Sequence, residues 1–91
     1  MYNLIYSKKF KKAYKQVQKN KKLHKKLIII LYDLQKGTKL DARYKNHKLH
    51  GTFKDCFECH ITPNLLLIYK IKKTKLEILL LTLGSHSTLF K

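Results

Sequence analysis

Acidic residues are scarce. Asp33, Asp41, Asp55, Glu58 and Glu77 stand against 21 lysines and arginines, and the formal net charge is +16. With so few carboxylates, no pair is spaced for hydrolysis or two-metal work; Asp55 and Glu58 lie three apart on a strand and should diverge. Glycine is limited to Gly37, Gly51 and Gly84, all isolated, so there is no Gly-rich phosphate loop. The two cysteines, Cys56 and Cys59, form one C-x-x-C beside His60. Zinc needs further ligands, and on an extended strand the two thiols point to opposite faces. Free thiols in a reducing compartment are expected, with no metal and no cofactor. Long apolar runs are also missing: Leu27–Tyr32 and Leu65–Tyr69 are too short to span a bilayer. Met1–Phe10 lacks the apolar stretch of a signal peptide. A cytoplasmic protein with no membrane partner is the expectation.

Lysine dominates what is present. Arg43 is the only arginine, so the excess charge is carried almost wholly by ammonium groups. These bind phosphate as point charges, without the bidentate grip of guanidinium. Taken singly, each lysine is compatible with a solvated surface. Taken together, the charge repels itself, and a polyanion or an acidic protein relieves the repulsion.

The 91 residues support one domain with one modest core. Tyr2–Tyr6 alternates and predicts a strand. Ser7 offers an N-cap, and Phe10, Ala13, Tyr14 and Val17 then follow at helical spacing. Asn20 is a candidate stop. A second helix is predicted from Lys22 to Lys36, ended by Gly37. Thr38–Lys48 lacks periodicity and reads as a loop. Strands are predicted at Thr52–Ile61, Leu65–Lys72 and Lys75–Leu83. The turns between them fall at Thr62-Pro63-Asn64 and Lys73-Thr74. Gly84–Lys91 is a tail that packs Leu89 or Phe90 back. The order β-α-α-β-β-β gives an α+β fold of two layers, the helix pair covering one face of an antiparallel sheet.

Three histidines fall at element ends: His47, His60 and His86. Imidazole, with an unperturbed pKa of about 6.5, both takes and gives a proton near neutrality. Segments remote in sequence can bring the three to one sheet surface, where each imidazole is worth about 10²–10⁴-fold as a general acid or base. The alternative is that each caps a loop or fills the core. Proton shuttles in a cationic field suit metal-free RNA cleavage. His24 reads as a solvent-facing helix residue, and His50 as part of a basic patch beside His47. Tyr44, between Arg43 and Lys45, can stack on a base, and Phe90 near His86 is a second platform. Closing the core is the competing role for Phe90.

Three segments carry a resemblance. They are L-D-A-R-Y-K-N-H-K-L-H-G at Leu40–Gly51, E-C-H-I-T-P-N-L-L-L-I-Y at Glu58–Tyr69 and L-G-S-H-S-T-L-F at Leu83–Phe90. In this order and spacing the chain resembles the RelE/ParE superfamily of toxins, and within it the YafQ-type ribonucleases. The resemblance spans nearly the whole length. It implies the toxin of a type II toxin–antitoxin system: an mRNA interferase acting in the ribosomal A site. Its ribose 2′-hydroxyl attack would leave a 2′,3′-cyclic phosphate and a 5′-hydroxyl, without metal. An acidic antitoxin is implied as partner, beside mRNA and the ribosome. By position, His47, His60 and His86 match the family's catalytic histidines, Asn64 its usual aspartate, and Phe90 its terminal aromatic. His86 is the implied general acid–base. Lys48 and Lys54 would hold flanking phosphates, with His50, Arg43 and Tyr44 beside them.

The chain also departs from that pattern. Phe57 and Thr82 replace two arginines, His50 replaces a lysine, and Asn64 cannot carry charge. Arginines there would stabilise the charged transition state; Lys54, Lys70 or Lys72 can substitute only electrostatically. Two other functions fit the same fold. One is a toxin that binds RNA or the ribosome without cutting. The other is a ParE-like topoisomerase inhibitor, which is not expected to carry the histidine set.

Overall fold

The computed structural model describes residues 1–90. Strand β1 (Asn3–Tyr6) leads into α1 (Lys8–Gln18) and α2 (Lys21–Lys36). A 3-10 turn at Ala42–Tyr44 precedes the two-residue β2 (His47–Lys48), and a second turn at Gly51–Phe53 precedes β3 (Phe57–Thr62). Then come β4 (Leu65–Lys72), a turn at Lys73–Lys75, β5 (Glu77–Gly84) and the short α3 (His86–Leu89). Among the described residues, no helix is long and apolar enough to cross a membrane.

The helices start where the sequence supplies a cap. The Ser7 hydroxyl accepts from the Phe10 amide at 3.0 Å, a contact worth about 1 kcal/mol. Asn20, expected to stop α1, instead opens α2: its Oδ1 accepts from the amides of Lys22 and Leu23, each at 3.1 Å. Gly37 ends α2 at φ 74°, the left-handed conformation open to glycine. His24 does not face solvent as expected. Its Nε2 lies 2.6 Å from the Tyr14 hydroxyl, and the pair ties α1 to α2.

The sheet runs β1-β5-β4-β3-β2. Contrary to the expectation of an antiparallel sheet, it is mixed, because β1 pairs with β5 in parallel. The meander β2 to β5 fixes the direction of β5, while the helix hairpin returns the chain to the far edge. The sheet also has one strand more than expected, since β2 forms inside the supposed loop. Conversely, β3 starts at Phe57 rather than Thr52. Gly51–Phe53 curls into a turn and Asp55 takes φ 67°, a backbone no strand can hold.

One face of the sheet meets the helices. Cys59, Ile61, Leu67, Tyr69, Ile78, Leu80 and Leu83 pack with Phe10, Val17, Leu27, Ile30, Leu31 and Leu34. A bulge lets Leu80 and Leu83 both face that core: Ile68 pairs with Thr82 and Tyr69 with Leu80, leaving Leu81 extra. The Leu81 carbonyl accepts from the Ser7 hydroxyl at 2.6 Å, so the cap of α1 also secures the bulge. Paired residues share a face, so Glu58 with Ile68 and His60 with Leu66 lie on the opposite side. Cys59 joins the helix-side core and Cys56 does not; both thiols are free and buried.

Burial pushes the Cys59 thiol from its ordinary 9.0 up to about 12, with Glu58 adding to the effect. Burial also raises the Tyr69 hydroxyl, again helped by its neighbour, Cys59. The folded chain keeps protons that the unfolded chain releases, so stability falls as pH rises. The urea midpoint should hold to about pH 9 and then decline toward pH 12, and Cys59→Ala should flatten that decline.

Candidate active site

Period-2 alternation on β3 puts Glu58 and His60 on one face. The β2–β3 register then sets His47 opposite Glu58. His60 Nε2 lies 3.0 Å from Glu58 Oε1, and His47 Nε2 lies 3.6 Å from the same oxygen. The two imidazole centroids are 6.3 Å apart. Glu58 is 4% exposed and is the one buried charged residue among the described residues. A buried carboxylate is costly unless it is paired and hydrogen-bonded. Two imidazoles meet that need here.

These contacts fix the tautomers. His60 donates from Nε2 to Glu58, which leaves Nδ1 with the lone pair of a base. His47 Nδ1 is 2.7 Å from the Lys45 carbonyl, which can only accept, so Nδ1 carries a proton. A second proton, on Nε2, turns the His47–Glu58 contact into an ion pair. Lys45 itself adopts φ 48°. The loop is anchored one residue on, where the buried Tyr69 hydroxyl donates to Asn46 Oδ1 at 2.6 Å. Tyr69 in turn stacks on Phe57, centroids 5.6 Å apart.

His86 opens α3, capped by Ser85. Gly84, Leu66 and His60 form one row across β5, β4 and β3, so His86 begins two residues beyond the end of that row. Its ring packs on Phe90 at 4.8 Å, and Phe90 meets Phe53 edge-on at 5.6 Å. The structure thus joins His47 and His60 directly. It brings His86 to the end of the sheet where His60 lies, and among the described residues no ring contact joins His86 to either.

The remaining candidates are more dispersed. Asn64 is exposed in the β3–β4 turn, its amide 3.3 Å from Thr62 Oγ1. Lys48, His50 and Lys54 are exposed around β2 and the Gly51 turn. Arg43 lies over the Tyr44 ring at 4.9 Å and donates to its hydroxyl at 3.1 Å. Of the two arginine-replacing residues, Phe57 belongs to the helix side. Thr82 shares the row of Glu58 and Ile68. Lys70 lies on that face too; burial raises the Cys56 thiol above its ordinary value, and Lys70 opposes that rise only in part. Sequence reasoning missed Glu58, although the E-x-H alternation signals it. It also missed Asn46 and Tyr69, whose contact spans 23 residues and leaves no local signal.

A protein-family model described as the bacterial toxin of a type II toxin–antitoxin system, YafQ, matches residues 2–91. The chain belongs to the YafQ toxin family. It is 35% identical over 89 residues to the mRNA interferase toxin YafQ of Escherichia coli K12, covering 97% of this chain and 95% of that one. The fold superposes on a metal-bound toxin from Helicobacter pylori with a TM-score of 0.89 at 43% identity, covering 99% of this chain and 100% of that one. It also superposes on YafQ from the E. coli DinJ–YafQ complex, with a TM-score of 0.86, 32% identity and full coverage of both chains. The α+β expectation therefore stands, and the YafQ family membership read from the three segments is correct. The Helicobacter toxin was solved with metal. Among the described residues of this YafQ-family chain, no group of three His, Cys, Asp or Glu side chains is set as a metal site.

The Asn46–Tyr69 bond should be visible in stability. Tyr69→Phe keeps the ring stack and should cost about 0.5–1.5 kcal/mol. Asn46→Ala strands the buried hydroxyl and should cost more, about 1–3 kcal/mol. Chemical denaturation of both single variants and the double variant will measure this, and a double variant equal to the sum would overturn the assignment.

Proposed function

We propose that this toxin is an mRNA interferase, a metal-independent endoribonuclease that cuts mRNA in the ribosomal A site. The observation that carries the reading is the buried Glu58 holding His60 at 3.0 Å with His47 beside it. A carboxylate that fixes one imidazole nitrogen leaves the other free for proton transfer.

In the proposed step the 2′-oxygen attacks the adjacent phosphorus and the P–O5′ bond breaks. His86 acts as general acid–base. His60 and His47 share the second proton transfer and orient the phosphate: one group takes the 2′-hydroxyl proton and the other protonates the departing 5′-oxygen. A 2′,3′-cyclic phosphate and a 5′-hydroxyl remain. Lys48, His50 and Lys54 hold flanking phosphates as point charges, and Lys70 adds positive potential from the face of Glu58. Asn64 can only donate or accept a hydrogen bond, without carrying charge. Phe90 supports His86 and offers a platform for a base or ribose; Arg43 and Tyr44 contact the RNA further out. The partners are mRNA, the ribosome and a cognate acidic antitoxin, which neutralises the +16 charge. The cytoplasm is the compartment that holds them.

Thr82 favours a second reading. It stands in the Glu58 row where the family resemblance places an arginine, so the charged phosphorane has no guanidinium there. A toxin that binds RNA without cutting it is consistent with that substitution.

Cleavage of a defined mRNA in EDTA, with and without ribosomes, decides between the two. Wild type should yield cyclic-phosphate ends, and His86→Gln and His60→Gln should each lose about 10²–10⁴-fold. The rate should vary between about pH 5.5 and 8.5. RNA binding without cleavage in every lane would establish the second reading.

A further inference from the structure

We propose that the groove between α2 and the outer edge of β3 is a subsite for one unstacked nucleotide of the RNA, next to the bond that is cut. The inference rests on the ribonuclease reading and extends it to Lys26, Ile29, Lys45, Ile61 and Pro63, which that reading does not use.

The groove exists because β2 is short. It pairs only with Phe57 and Glu58, so the outer edge of β3, away from β4, has no strand beside it from Cys59 onward. The Ala42–Tyr44 turn crosses there instead, and α2 forms the opposite wall. The space between them is about 450 Å³, inside the roughly 300–1,000 Å³ typical of small-ligand sites.

Its lining divides by chemistry. Ile29, Tyr44, Ile61 and Pro63 give an apolar floor. Ile29 is 48% exposed, a large aliphatic side chain that the fold itself leaves uncovered. Lys26, Arg43 and Lys45 give a cationic rim, and no carboxylate lines the groove. Asp41 reaches Arg43 only from outside, at 4.0 Å. An apolar bed with cations at its edge suits a base whose phosphates lie along the rim. His60 also borders the groove, with its ring held by Glu58. A nucleotide in the groove is thereby joined to the phosphate at the imidazoles.

The other groove beside α2 supplies a control. Tyr6, Phe10, Tyr14, Ile28 and Leu31 line it with Lys11 and Lys15, and no histidine borders it. It carries cations without the link to the site.

Acylation footprinting of lysines, read by mass spectrometry, tests the proposal on the wild-type protein. The probe is a single-stranded RNA methylated at every 2′-oxygen, which binds but cannot be cut. At about 0.15 M salt, modification of Lys26 and Lys45 should fall about fivefold or more, and that of Lys11 and Lys15 less than about twofold. Lys26→Glu should raise KM for ribosome-bound message about tenfold and leave kcat within about twofold. Equal labelling of Lys26 with and without RNA overturns the proposal. So does protection of Lys26 by the co-expressed antitoxin but not by RNA, which would make the groove a protein-docking site. A wild type that binds this probe but cuts no unmethylated message, with or without ribosomes, fails the ribonuclease reading, while the footprint still decides the groove.

Discussion

A single buried carboxylate organises the histidine-bearing half of this molecule. Glu58 sits 4% exposed in a chain of formal charge +16, and its neighbours are imidazoles, not lysines. A lysine partner would be permanently cationic and would lock the pair. Imidazoles satisfy the carboxylate while remaining able to exchange protons. The consequences run outward. His60 must lie two residues along β3, and His47 must arrive from a separate strand. A two-residue β2 is enough to deliver it, because its loop is held by the Lys45 carbonyl and by the Asn46–Tyr69 bond.

The two faces of the sheet divide the work. Toward the helices, a closely packed set from Phe10 to Leu83 supplies the burial that a chain of this size needs. On the other face, Leu66 and Ile68 are the buried centres of the two rows that carry Glu58, His60 and Thr82. Tyr69 bridges the two sides: its ring belongs to the core and its hydroxyl reaches the histidine loop. Core packing therefore sets how firmly His47 is held. The β5 bulge serves the same division, because without Leu81 as an extra residue Leu80 and Leu83 would point to opposite faces.

Much of this was legible in the chain. Helical spacing of Phe10, Ala13, Tyr14 and Val17 marked α1, and Gly37 ended α2 where expected. β4 agrees with its expected span. The misreadings share a cause. Asn20 is both a helix stop and a cap by composition, and only the hydrogen bonds to the next turn decide between them. The start of β3 was lost because Asp55 has φ above zero, which residue type alone did not signal. β2 and the parallel β1–β5 pair depend on partners far along the chain. Glu58 was overlooked for a different reason: acids were weighed as pairs with other acids, whereas its partners are histidines. That the three histidines can share one sheet surface was legible from element ends; that His47 and His60 meet at Glu58 was not, since it depends on β2. The groove beside α2 was not, since Lys26 and Ile29 lie far in sequence from everything they face.

The pairing of the first strand with the last has a consequence for how the molecule is made. Among the described residues β5 is the one strand that pairs with β1, and the Ser7 hydroxyl that starts α1 is tied to the Leu81 carbonyl. Both partners are synthesised some seventy residues after β1, just ahead of the segment that holds His86. During translation the helix hairpin therefore has an incomplete sheet to pack on, and contacts this remote form late. The first strand thus waits for the fifth, and the sheet closes only when β5 is free to pair with it.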